Sequence, residues 1–66
     1  MEKEMIEQMR TDFQVVVIWR KTNDGWRDAD AEELGQNIKM AIARGDSDIV
    51  QSYANWLRRE AIEHGK

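Results

Sequence analysis

Five consecutive residues, Val15-Val16-Val17-Ile18-Trp19, constrain the fold of this chain more than any others. β-Branched and aromatic side chains favour extended backbone, so the run predicts a strand from about Phe13 to Lys21. Alternate side chains of a strand face opposite ways. Phe13, Val15, Val17 and Trp19 would then share one side, with Val16 and Ile18 on the other. A strand apolar on both faces needs cover on both. In a chain of 66 residues that cover comes from the remaining segments or from a partner.

The flanking sequence extends this expectation. Asp24-Gly25 is a strong two-residue hairpin signal, because a type I′ turn needs positive φ at both central positions. A turn there pairs Lys21 with Asp28 and puts Trp26 on the Trp19 face of a short returning strand, Trp26 to Ala29. Before the strand, Glu2 to Arg10 reads as a short helix, with Met1, Met5, Ile6 and Met9 on one stripe. After the hairpin, Asp30 with Glu33 resembles a capping box opening a helix whose apolar stripe is Leu34, Ile38, Ala41 and Ile42. Gly35 interrupts that stripe. Arg44-Gly45 closes the helix, and Asp46 or Ser47 caps the next. The last helix runs to about Glu63 and carries Ile49, Val50, Tyr53, Trp56, Leu57 and Ala61 at three- and four-residue spacing. The expected fold is α+β: one small domain (1–66) in the order α-β-β-α-α, with a β-hairpin packed against a C-terminal helical hairpin.

Composition narrows the chemistry. There is no Cys and a single His, His64, so disulfides are excluded and a zinc site of the Cys/His kind has almost no material. No nucleophile sits in a recognisable motif, and so small a chain has little with which to build a catalytic cleft. No enzyme activity, cofactor or metal is expected. The charged N-terminus lacks the apolar stretch of a signal peptide, and no run is long enough to span a bilayer, which points to a cytoplasmic protein. The net charge is −3, divided as −4 up to Asp48 and +1 from Ile49 onward. Nucleic-acid binders carry a basic surplus to neutralise phosphates, and this chain has none.

Local motifs have plain explanations. Arg44-Gly45-Asp46 matches an integrin-ligand tripeptide, but a helix end followed by an N-cap accounts for all three residues. The acids Asp24, Asp28 and Asp30 miss the EF-hand spacing and fit turn and cap roles. A helix-turn-helix corner is better supported: Ala41 and Gly45 have the expected spacing, and the last helix offers Gln51, Ser52, Asn55, Arg58 and Arg59. Against it stand Arg44, where the turn usually buries an apolar residue, and the acidic region before Ile49.

Two resemblances go further. Glu32-Glu33-Leu34 through Gly45-Asp46-Ser47 resembles the first helix and turn of the ribbon-helix-helix repressors, which implies a dimer reading DNA with paired strands. Here a hairpin separates strand and helix, and the base-reading positions would fall on Gln14, Val16 and Ile18. The segment Val50-Gln51-Ser52-Tyr53-Ala54-Asn55-Trp56-Leu57-Arg58-Arg59-Glu60-Ala61 looks like a helix of a small phage-encoded anti-CRISPR protein that mimics DNA. Tyr53, Ala54, Trp56, Leu57, Glu60 and Ala61 match. The two acidic positions after Leu57 are Arg58 and Arg59 here, so no functional residue carries over, and the resemblance implies only a phage or mobile-element setting.

The function expected from the sequence is therefore a small non-enzymatic interaction protein, accessory or regulatory, acting on a protein partner of unknown identity. Its candidate surface is Val16, Ile18, Met5 and Met9, and an open strand edge invites a homodimer. The alternative is a dimeric DNA-binding regulator, ribbon-helix-helix-like or helix-turn-helix-like, using Gln51, Asn55, Arg58 and Arg59.

Overall fold

The computed structural model describes residues 3–65 and contains three α-helices: α1 (Lys3–Asn23), α2 (Asp28–Ala43) and α3 (Ser47–His64). Among the described residues there is no strand. The α+β expectation is overturned at two places: the expected short helix and strand are a single 21-residue helix, and the expected returning strand Trp26 to Ala29 is the corner before α2 and the start of its first turn. Met1 and Glu2, assigned above to the first helix, lie outside the described residues.

The physical reason lies in the first ten residues and in tertiary packing. Lys3 to Arg10 are mostly good helix formers, and once a helix is nucleated each further residue adds a hydrogen bond. Carrying Val15, Val16, Val17 and Ile18 helically costs roughly 2 kcal/mol relative to alanines. An isolated two-stranded hairpin is marginal in any case. At 100° per residue, the β-prone run wraps around the helix instead of alternating. Val16 points inward at 1% exposure, Val15 and Val17 sit on the shoulders, and Ile18 faces solvent at 67%. The inward stripe is Met5, Met9, Asp12, Val16 and Trp19, close to heptad spacing. With the strand gone, so is the open edge that motivated a homodimer.

Asp24-Gly25 does reverse the chain, as a helix stop and not as a hairpin. Gly25 has φ +69°, and the N–H groups of Asp24 and Trp26 both donate to the Arg20 carbonyl, at 2.8 and 3.2 Å. Lys21 reaches Asp28 at 2.5 Å, which holds the Asp28 carboxyl below its ordinary range; here the pair ties α1 to α2 across the corner. Helix α2 begins three residues earlier than the sequence implies, with Arg27 and not Asp30 at its N-cap. Asp30 sits inside the first turn and accepts the Arg27 N–H at 2.8 Å. Gly45, also at φ +69°, ends the α2 corner, and Asp46 caps α3 by accepting the Ile49 N–H at 3.4 Å.

Two reversals bring α3 back parallel to α1: Asp12 meets Arg58, and further along Trp19 stacks on His64. Helices α1 and α2 pack on α3 more than on each other. The result is a slab, 32 × 24 × 15 Å across its Cα atoms. The core is Met9, Val16, Ile38, Ala41, Val50 and Leu57, with Phe13, Trp19 and Trp26 only half-buried. Gly35 is where α2 passes the Phe13 ring. A Cβ there would stand 3.5 Å from the ring, an ordinary contact, and the backbone is helical. Gly35→Ala is therefore expected to raise stability by about 0.5–1 kcal/mol through helix propensity, read as a higher urea midpoint. A lower midpoint would show that the ring cannot accept the methyl group.

Candidate functional site

Ile62 apart, which is exposed on the opposite face, the apolar positions of α3 from Ile49 to Ala61 span about 160° of its circumference at 100° per residue, wider than the roughly 100° needed to face one core. The structure divides that arc. Val50, Leu57 and Ala61 point into the core and are buried. Ile49, Tyr53 and Trp56, at i, i+4 and i+7, are left along the edge beside α2. Together with Leu34, Asp48 and Ser52 they line a trough of about 490 Å³ between α2 and α3, with Ile49 41% exposed.

Beyond Leu34 and Trp56 the trough continues into a recess of about 270 Å³, whose further lining is Trp26, Asp30, Glu33 and Asn37. The three α2 residues recur at i, i+3 and i+7, which aligns them on one helix face. Trp26 is placed by the α1–α2 corner. Arg20, outside the recess lining, lies 5.7 Å from the centroids of both the Trp19 and Trp26 rings. The Arg20 guanidinium pairs with Glu60 and with Asp24, which hold its pKa above even the usual arginine value. Every charged residue lining the trough and recess is acidic: Asp30, Glu33 and Asp48.

A second groove, of about 330 Å³, lies on the other side of α2. Ile6, Met9, Phe13, Ile38, Ile42 and Leu57 form its apolar lining beside Gly35, and its charged lining residues are the basic Arg10 and Lys39. Near the C-terminus of α3, Glu60, Glu63 and His64 hold ligand atoms within 4.8 Å of one another, the one group of three potential metal ligands among the described residues. Glu60 is already committed to Arg20, and its other oxygen lies 3.5 Å from His64 Nε2. The imidazole in turn stacks on Trp19 at 3.7 Å and 18°. An ion there would have to displace contacts that hold α1 to α3.

The residues nominated from the sequence fall in different places. Met9 and Val16 are buried in the core, Met5 is half-buried against it, and Ile18 projects into solvent, so the four do not form one surface. The helical turn separates Val16 from Ile18 by about 200°, whereas a strand would have joined them. Gln51, Asn55, Arg58 and Arg59 do share the outer face of α3. Two of them bond to each other, Gln51 Nε2 donating to Asn55 Oδ1 at 3.0 Å, and Arg58 donates to Asp12 at 2.9 Å. Periodicity hides the trough, because Ile49, Tyr53 and Trp56 share the three- and four-residue spacing of the core stripe. The excessive width of that stripe was the available signal. No helix among the described residues is long and apolar enough to cross a membrane. Compared with known proteins, the chain matches no family model, no curated protein and no solved structure.

Proposed function

We propose that this chain is a small non-enzymatic interaction protein, acting in the cytoplasm, that docks an apolar, basic segment of a protein partner in the α2–α3 trough. The observation that carries this reading is the surplus arc of α3, which leaves Ile49, Tyr53 and Trp56 lining an open trough. Tryptophan and tyrosine dominate binding hot spots, and amphipathic helices commonly seat their apolar face in such grooves. The acidic lining selects the sign of the partner, since complementary charge steers encounter and disfavours wrong partners. The DNA-binding alternative is supported less well: the outer face of α3 has Arg58 tied to Asp12 and two neutral side chains tied to each other.

A designed amphipathic helical peptide with leucines at i, i+3, i+4 and i+7 and lysines on its flanks is the probe, compared with the same peptide carrying glutamates. The lysine peptide is expected to shift the resonances of Ile49, Tyr53 and Trp56 saturably, and the glutamate peptide is not. Ile49→Lys should abolish the shifts at little cost in stability, because the position is partly exposed. Equal response to both peptides, or shifts confined to the α1–α2 groove, would remove the trough as the docking site. Salt-sensitive nanomolar binding of a random-sequence duplex would promote the regulator instead.

A further inference from the structure

The recess beyond Trp56 has a composition that a general apolar docking site does not need. Two tryptophans, Trp26 and Trp56, line it together with the acidic residues Asp30 and Glu33, Asn37 and Leu34. No cationic side chain lines it. The face of an indole carries negative potential that attracts cations, tryptophan most strongly of the aromatic residues. A carboxylate beside such a ring adds a charged acceptor, and an apolar wall suits the methylene stem of a long cationic side chain.

We propose that this recess is a binding site for a single cationic side chain, the guanidinium of an arginine, carried by the segment that docks in the trough. The identity of the carrier rests on the function proposed above; the recess and its chemistry do not. Arginine is favoured over lysine because a planar guanidinium stacks on indole while its fork of N–H groups donates to carboxylates. Glu33 makes no ion pair among the described residues, so its carboxylate is free to accept. Asp30 uses one oxygen to accept the Arg27 N–H and keeps the other.

The molecule already pairs Trp26 with a guanidinium: Arg20, which does not line the recess, lies 5.7 Å from the ring centroid. That guanidinium is matched by two carboxylates, Asp24 and Glu60, so it contributes no net positive charge to oppose a second cation. Arg27 follows Trp26 in sequence but does not line the recess.

The test titrates the intact chain with N-acetyl-arginine amide, and separately with the citrulline and lysine counterparts, at constant ionic strength. The readout is the set of three indole N–H resonances, assigned with single Trp→Phe variants. Arginine amide is expected to shift the Trp26 and Trp56 indoles saturably at millimolar concentration. Trp19, which stacks on His64 outside the recess, serves as the internal control. Citrulline, neutral and nearly isosteric, should leave all three unmoved, and Glu33→Gln should weaken arginine binding roughly three- to tenfold with an unchanged circular dichroism spectrum. Equal shifts from citrulline, or arginine binding indifferent to Glu33→Gln, would overturn the site. Lysine amide binding as tightly as arginine would overturn the guanidinium preference. The two proposals separate cleanly. If arginine amide binds while the lysine-flanked peptide does not dock, the recess stands and the docking function falls. Docking of the peptide without any arginine response gives the reverse.

Discussion

Leu57→Ala is expected to lower the unfolding free energy by about 3 kcal/mol, a large part of the stability available to so short a chain. Leu57 has no exposed surface and is among the largest fully buried side chains. It belongs to the one cluster that joins Met9 and Val16 of α1 to Ile38 and Ala41 of α2, so truncation loosens both packing partners of α3 at once. Counting Trp56 with the core stripe would assign it the larger effect, about 3–5 kcal/mol on full burial. The ring is instead half-buried along the trough, and Trp56→Ala should cost only about 1–2 kcal/mol. Urea unfolding of the two variants side by side decides the matter. If Trp56→Ala proves the more damaging, α3 presents a different face to the core.

The second large effect is an asymmetry at the α1–α3 interface. Asp12 is 3% exposed and sits in the inward stripe of α1, where it accepts from Arg58 at 2.9 Å and from Gln8 at 3.0 Å. The Arg58 side chain is half exposed. Removing the cation leaves a buried carboxylate with one neutral donor, so Arg58→Ala should destabilise by about 3 kcal/mol, the lower end of the range for a broken buried pair. Removing the carboxylate is a different experiment. Asp12→Leu places an apolar side chain in an apolar stripe, and Arg58 can turn to water at small cost. That variant is expected to be neutral or more stable by about 1–2 kcal/mol. In the double variant the Arg58→Ala penalty should largely vanish, a coupling measurable in a double-mutant cycle. Equal destabilisation by Asp12→Leu and Arg58→Ala would mean that the pair is needed for the α1–α3 register and not merely tolerated there.

The positions of α2 and α3, the αL glycine at Gly45 and the Asp46 cap follow from local rules: periodic apolar residues, a residue free to take positive φ, and a short side chain that accepts from its own helix. Each acts over about four residues, so each is visible in the chain alone. Gly25 shows the limit of such signals. Its positive φ is equally at home in a hairpin turn and at a helix end, and the local sequence does not choose between them.

Tertiary structure alone decided two things. The first is the state of Val15 to Trp19. Their β-preference is worth a few tenths of a kcal/mol per residue, and burying Met9 and Val16 against α3 while α1 stays continuous outweighs it. Asp12 hid that outcome, because a carboxylate at an inward position breaks the helical pattern unless its partner, Arg58, 46 residues away, is known. The second is the division of the α3 arc. Val50 and Leu57 are core while Ile49, Tyr53 and Trp56 line an open trough only because α1 and α2 together cover less of α3 than its apolar residues span. How much of a helix its neighbours cover is a property of their packing, and no periodicity within the helix encodes it.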